Sequence, residues 1–312
     1  MNSQNNTLNV LFSADDNYAQ HLGAAIYSLL ENNKSFQRIQ IFVVDNNIKS
    51  ENKKRLLNII GDFSCAQISF IDFSKWKEKL CLNMQWQISI STYARLFISE
   101  IVPEKIDRIL YLDCDMIICD SLFMLWNIDL KGKVLAAVQD TIGDAVKASV
   151  GVLPSQPYFN AGMLLIDLKE WRRQKIGEKS ISFIEDKDGS VTHHDQGVLN
   201  GILKNNWLKL PLQYNLMTIH FVFDLRQISK YFQDNCAFYL ENEIKTAKTN
   251  PVIIHYTPSF TTRPWLNNCK HPQKELYWEA LSNTAWKGVN PEKDDSKLYV
   301  KLINWRYRNL PY

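Results

Sequence analysis

Leu8-Asn9-Val10-Leu11-Phe12-Ser13-Ala14-Asp15-Asp16-Asn17-Tyr18 decides the fold. Five mostly apolar residues make a short strand, and Ser13-Ala14-Asp15-Asp16-Asn17 then supplies turn and helix-cap chemistry. The spacing predicts a helix over 18–30, with Leu22, Ile26, Leu29 and Leu30 on one face. The rhythm repeats, with a strand at 39–44, a helix at 50–59 and a strand at 68–71. Such a β-α-β-α-β order predicts a parallel, doubly wound α/β sheet with right-handed crossovers.

Further along, Ser91-Thr92-Tyr93-Ala94-Arg95-Leu96-Phe97 reads as a helix leading to a strand at Arg108-Ile109-Leu110-Tyr111-Leu112. That strand ends on Asp113-Cys114-Asp115. Residues i and i+2 of an extended chain share a side, so both carboxylates converge at the carboxyl end of a strand, where open α/β sheets place ligands. Adjacent carboxylates repel unless a cation sits between them, and a divalent metal carrying a nucleotide diphosphate resolves the repulsion. The plain alternative is a solvated acidic turn. A strand follows at 134–138. Phe159-Asn160-Ala161-Gly162 reads as a loop feeding a strand that runs to Asp167. His194-Asp195-Gln196-Gly197-Val198-Leu199 opens a helix with Asp195 in its first turn. Val252-Ile253-Ile254-His255 is a strand ending on a polar residue.

The 312 residues suffice for one large α/β domain or two unequal ones, and 46% hydrophobic content with 12% aromatic argues against wholesale disorder. A net charge of +3 is too mild to indicate nucleic acid as a partner. Cys65, Cys81, Cys114, Cys119, Cys236 and Cys269 lack metal-type spacing and read as reduced thiols. No apolar leader and no run of 18 apolar residues is present, so a cytoplasmic protein is expected. The composition shifts near residue 265 towards Lys, Trp and Tyr, and the segment beyond reads as helical.

Asp15/Asp16, Asp113/Asp115, Asp195/Gln196 and His255 all sit at strand ends or helix starts, so a single site is expected. Two carboxylates, one imidazole and diphosphate oxygens make a hard shell that suits Mn²⁺ or Mg²⁺, the histidine favouring Mn²⁺. His21, His193, His220 and His271 read as structural or loop residues, and Trp265 as a core residue or a cover over the donor.

At this point the chain resembles glycosyltransferase family 8, above all its bacterial α-galactosyl- and α-glucosyltransferases of lipopolysaccharide or capsule synthesis. Six motifs, in family order, carry the resemblance between about Leu8 and Trp265. They are Phe12-Ser13-Ala14-Asp15-Asp16-Asn17-Tyr18, Thr92-Tyr93-Ala94-Arg95, Leu112-Asp113-Cys114-Asp115, Phe159-Asn160-Ala161-Gly162, His194-Asp195-Gln196-Gly197-Val198-Leu199-Asn200, and His255-Tyr256 with Arg263-Pro264-Trp265. The resemblance implies the GT-A fold, a Rossmann-like, mostly parallel sheet with a smaller second sheet. It implies a transferase domain at 1–265, followed by a helical, basic and aromatic segment at 266–312. The implied activity is metal-dependent transfer of galactose or glucose from a UDP-sugar to a saccharide or glycolipid acceptor with retained configuration. Rival readings are a catalytically silent nucleotide- or glycan-binding protein on the same fold, and a self-glucosylating protein of the glycogenin type.

The resemblance also implies roles. Asp113, Asp115 and His255 would hold the metal. Ala14, Asp15, Asn17 and Tyr18 would hold uridine, plain helix capping being the alternative, and Cys114 is counted with the nucleotide-binding residues. Arg95 would bind near the diphosphate or sugar, against a surface ion pair. Asn160 and Ala161 would meet the donor sugar, and Gly162 would serve a tight turn. Asp195 would hydrogen-bond sugar hydroxyls. Gln196 occupies the position where double displacement needs a carboxylate. An amide is a poor nucleophile and Gly197 follows it, so a front-face route through an oxocarbenium-like ion pair is favoured, Gln196 stabilising positive charge through its carbonyl dipole. The late motif departs from the family pattern. Pro258 stands where a glycine is usual, and the cation is Arg263, eight residues after His255 rather than six. Arg263 either replaces the family lysine on the diphosphate or is displaced by the longer loop. Finally, residues 297–312 carry Lys297, Lys301, Arg306 and Arg308 with Leu298, Leu302 and Trp305 at helical spacing. Such a helix lies on an anionic membrane surface or packs on the domain.

Overall fold

A computed structural model describes residues 6–80, 90–232, 238–258 and 261–295. The basic stretch 297–312, Cys81 and Cys236 lie outside them. Among the described residues the strands are β1 (Thr7–Asp15), β2 (Arg38–Asn46), β3 (Ala66–Asp72), β4 (Arg108–Leu112), β5 (Met116–Ile118), β6 (Leu135–Gln139), β7 (Phe159–Asp167), β8 (Trp207–Lys209), β9 (Leu216–Met217) and β10 (Ile253–His255). A seven-stranded sheet runs in the order β3-β2-β1-β4-β7-β6-β8, and a three-stranded sheet in the order β5-β10-β9. The helices that matter most below are α1 (Ala19–Glu31), α2 (Ser50–Gly61), α3 (His194–Leu203) and α4 (Lys274–Ser282).

Alternation along the strands builds two cores. Leu8, Val10 and Phe12 of β1 pack with Leu22, Ile26, Leu29 and Leu30 of α1 on one face of the large sheet. Leu11 of β1, Phe42 and Val44 of β2 and Tyr111 of β4 pack with Trp171 and Leu199 on the other. The four α1 residues are those expected from spacing, and each is fully buried, contributing roughly 1.5–3 kcal/mol. Helix α4 joins the first core, with Tyr277, Ala280 and Leu281 buried there.

The fold class holds, with instructive differences. Ser13, Ala14 and Asp15 are strand, not turn, because β1 pairs with β2 from Thr7↔Arg38 to Asp15↔Asn46. The β1 strand lies between β2 and β4, and its ladder overrides the local turn preference of those residues. The helix expected over 91–97 is present as a 3₁₀ helix, Ile90–Phe97. Phe159 to Gly162 belong to β7 instead of a loop, and β7 runs antiparallel to both β4 and β6. Its start therefore lies at the edge where β4 and β6 end. His255 closes β10 of the small sheet, so the site is built from two sheets and not from one edge. Asp113-Cys114-Asp115 is the junction between those sheets, joining β4 to β5. Of the described cysteines, Cys65, Cys114 and Cys119 are free thiols, and Cys269 Sγ lies 3.0 Å from the Thr262 carbonyl. No helix among the described residues is long and apolar enough to cross a membrane.

Candidate active site

Asp113 and Asp115 are each anchored by a different sheet. The Asp113 N–H donates to the Gly162 carbonyl at 2.8 Å, pinning it to the start of β7. The Asp115 carbonyl accepts from Tyr256 N–H at 2.9 Å, pinning it beside β10. This brings ligand atoms of Asp113, Asp115 and His255 within 4.8 Å of one another, the one such group among the described residues. His255 Nε2 lies 3.2 Å from Asp115 Oδ1 and 4.0 Å from Asp113 Oδ2. Gly162 makes the room. A Cβ there would lie 2.9 Å from both Asp113 Oδ2 and His255 Nδ1 and would overlap His255 Cε1. Gly162 thus leaves room for the His255 ring and the Asp113 carboxylate, and two carboxylates and an imidazole held this close together fit a divalent cation with mostly oxygen ligands.

Two arginines supply the surrounding positive charge. Arg95 is 4% exposed and so is no surface ion pair. Its Nη2 donates to Asp113 Oδ1 and its Nε pairs with Asp195 Oδ2, both at 2.8 Å, while Nη1 donates to the Ala161 carbonyl. Its guanidinium lies 4.2 Å from the Tyr111 ring centroid, and the Tyr111 hydroxyl donates to Asp113 Oδ1 at 2.8 Å. Arg263 Nη2 donates to Asp115 Oδ2 at 2.8 Å and Nη1 to the Tyr18 hydroxyl at 2.7 Å. Burial pushes the Asp115 carboxyl up, but His255 and Arg263 outweigh it and hold the group well below the usual carboxylate range. At Asp195 burial wins over Arg95, and the carboxyl is pushed up to about 6.

Gln196 is held at both ends. Its Oε1 accepts from Ala161 N–H and its Nε2 donates to Asp140 Oδ2, each at 3.0 Å. Asp140 Oδ2 also accepts from Asn160 Nδ2 at 3.0 Å. The next residue, Gly197, lies against the Thr192 carbonyl, with which a Cβ there would collide. No carboxylate side chain can stand at that position on this backbone.

A model of the family described as glycosyl transferase family 8 matches residues 9–269. The chain belongs to glycosyl transferase family 8. General stress protein A of Bacillus subtilis is 32% identical over 289 residues, covering 91% of this chain and 96% of that protein. Lipopolysaccharide 1,2-glucosyltransferase of Escherichia coli K12 is 29% identical over 306 residues, covering 97% and 85%. The crystal structure of the galactosyltransferase LgtC in complex with donor and acceptor sugar analogs superposes with a TM-score of 0.72 at 28% identity, covering 89% of this chain and 96% of that one. The fold is accordingly GT-A.

In this family 8 glycosyltransferase, Asp113, Asp115, His255, Arg95, Arg263, Asn160, Ala161, Asp195 and Gln196 converge where the two sheets meet. The first loop is arranged differently from a simple cap. Asp15 does cap the following turn, accepting from Tyr18 N–H at 3.2 Å. Asp16 instead reaches α2, accepting from Lys49 N–H at 2.9 Å and Asn52 Nδ2 at 2.8 Å. Ala14 is buried, Asn17 is exposed, and the Tyr18 ring meets His21 and Trp265 edge-on. Cys114 turns its thiol inward to the Ser13 carbonyl at 3.2 Å. Trp265 is a core residue and not a cover, being 5% exposed and stacked on His21 with centroids 3.7 Å apart. His193 stands just before α3 with φ 59°, while His220 and His271 are buried outside the cluster. Asp140 and Tyr111 were not foreseen. Asp140 had a readable signal, because it follows the apolar run 134–138 with only Gln139 between, much as Asp113 follows β4.

Proposed function

We propose that this glycosyltransferase moves a hexose, galactose or glucose, from a UDP-sugar to a saccharide or glycolipid acceptor with retained anomeric configuration, and that it requires Mn²⁺ or Mg²⁺. The observation that carries the reading is the convergence of Asp113, Asp115 and His255 within 4.8 Å of one another, which the missing side chain of Gly162 permits by leaving room for the His255 ring. When bound there, the cation would supply positive charge to the departing diphosphate. Names among the relatives, a lipopolysaccharide glucosyltransferase and a galactosyltransferase, support a hexose and a role in surface-glycan synthesis. The transferase unit is assigned to 1–265. Work at the cytoplasmic face of a membrane suits such acceptors, with 297–312 as the contacting segment.

Residue roles follow from position. Ala14, Asp15, Asn17 and Tyr18 line the end of β1 for the uridine, with the Cys114 backbone beside them. Arg263 already sits on Asp115, so exchanging that carboxylate for a β-phosphate oxygen makes it a diphosphate clamp of bidentate reach. Asn160 and Ala161 face the donor sugar, and Asp195, aligned by Arg95, selects its hydroxyls. Gln196 Oε1 keeps a lone pair beyond the one used by Ala161, and an amide tied at both ends is a preorganised dipole for the developing positive charge. With an amide at 196 and no space for a side chain at 197, the front-face route is favoured. The anomeric C–O bond to UDP breaks, the acceptor oxygen bonds from the same face, and its proton passes to the leaving phosphate oxygen.

UDP release from a panel of UDP-sugars, with Mn²⁺ and without acceptor, tests the reading. Turnover of a UDP-hexose is expected, and Asp113→Ala or Asp115→Ala should abolish it together with metal-dependent UDP binding. Undiminished turnover in either variant would refute the site as drawn.

A further inference from the structure

Asn215 lies between the 3₁₀ turn Leu212–Tyr214 and β9, and it is 0% exposed. Its side chain touches two others. Nδ2 lies 2.9 Å from Asn160 Oδ1, and Oδ1 lies 3.0 Å from His255 Nδ1. Which end of an amide faces which neighbour follows from the groups whose polarity is fixed. A backbone N–H can only donate, and Gly162 N–H donates to Asn160 Oδ1 at 3.0 Å. That turns the Asn160 amide so that its NH₂ meets the Asp140 carboxylate, an acceptor. Asn160 Oδ1 in turn needs a donor from Asn215, which must present its NH₂. The Asn215 oxygen is then left facing His255 Nδ1, and that nitrogen must carry the proton. Reversing Asn215 would set oxygen against oxygen in a place without access to water.

The far end of the chain agrees independently. Ala161 N–H, also donor only, fixes the polarity of Gln196, whose NH₂ then meets the same Asp140 Oδ2. Two successive backbone N–H groups at the start of β7 thus set the direction of every bond from Gln196 to His255.

We infer that Asn215 is a positioning residue that keeps His255 in the Nδ1–H form, turns Nε2 towards Asp113 and Asp115, and couples the metal side of the site to Gln196 through Asn160 and Asp140. The inference rests on the metal-binding role proposed above for His255. Ligating histidines owe their ring orientation to such an outer partner, whose loss costs about 10–100-fold in metal affinity.

Three measurements test it. In the ¹⁵N-labelled wild-type protein, His255 Nδ1 should carry a proton both without metal and with diamagnetic Mg²⁺, and an unprotonated Nδ1 would overturn the inference whatever the variants do. Asn215→Leu, close in volume, removes both bonds and should bind Mn²⁺ alone about 10–100-fold more weakly. Wild-type affinity in that variant would also overturn it. Asn215→Asp keeps an acceptor for His255 but sets a carboxylate against Asn160 Oδ1. It should retain Mn²⁺ binding while KM for the UDP-sugar rises, and parallel loss of both would reduce Asn215 to a packing role. If the wild type binds no Mn²⁺, the metal reading itself fails, and the ring protonation alone decides on Asn215.

Discussion

Gly162→Ala adds one methyl group at the most crowded point of the site. Gly162 has no left-handed backbone, so its requirement is space and not conformation. The new Cβ would stand 2.9 Å from Asp113 Oδ2 and from His255 Nδ1, and closer still to His255 Cε1. Comfortable contact with carbon begins near 3.5 Å, so ring and carboxylate must each retreat by roughly 0.5–1 Å. The backbone has little freedom to yield instead. Gly162 accepts from Asp113 N–H at 2.8 Å and donates to Asn160 Oδ1 at 3.0 Å. Metal–ligand distances tolerate only about 0.2 Å, so the retreat disrupts two of the three ligands. Overpacking of this kind costs about 1–3 kcal/mol of stability. Metal affinity should fall about 10–100-fold, corresponding to ~1.4–2.7 kcal/mol. Titration of Mn²⁺ followed by the free-ion paramagnetic signal reads the affinity, and thermal unfolding reads the stability. Unchanged Mn²⁺ affinity in a folded Gly162→Ala protein would refute the claim that the absent side chain of Gly162 lets His255 and Asp113 stand together at a cation site.

Arg263→Gln removes the guanidinium that neutralises Asp115 and should cost about 1–3 kcal/mol, a value between those for exposed and buried pairs because the Arg263 side chain is 26% exposed. Mn²⁺ alone should bind more tightly once this competing cation is gone, while UDP should bind more weakly; calorimetry of the two ligands separates the effects, and tighter UDP binding would contradict the clamp. Folding raises the Asp195 carboxyl from an ordinary 3.8 to about 6. The folded state thus holds that proton more tightly than the unfolded chain, and the associated stability is fully present below about pH 3.8 and is lost as pH rises towards 6. Denaturant unfolding between pH 3.5 and 7 should lack this component in Asp195→Asn, and a carboxyl carbon resonance titrating near 4 in the wild type would contradict it. Asp140→Ala should free the Gln196 amide and lower kcat more than it raises KM for the UDP-sugar, since the dipole acts on charge that develops only in the transition state; a change confined to KM would point to donor binding alone.

Much of this protein was legible in one dimension. The period of apolar residues in 8–71 set the alternation of strand and helix, because amphipathic periodicity is a property of neighbouring residues. Asp113-Cys114-Asp115 after an apolar strand announced a charged strand end, and Asp195-Gln196 at a helix start announced another. The late histidine could be paired with them through motif order, although not through any local geometry.

Other decisions belong to the packed molecule. The reversal of β7, which delivers Asn160 and Gly162 to the ends of β4 and β6, depends on strand pairing across the sheet and leaves no mark in a window of ten residues. The same holds for His255 approaching from a second sheet, and for Arg95 and Arg263 becoming counter-ions of Asp113, Asp195 and Asp115. Hydrogen-bond polarity is the clearest case. Asn215 and His255 are 40 residues apart and Asp140 and Gln196 are 56 apart, so only folding can decide which end of each amide faces which partner. Local sequence determines what a segment can become, whereas the direction of a strand and the orientation of a buried dipole are set by neighbours that the chain meets only after it has closed on itself.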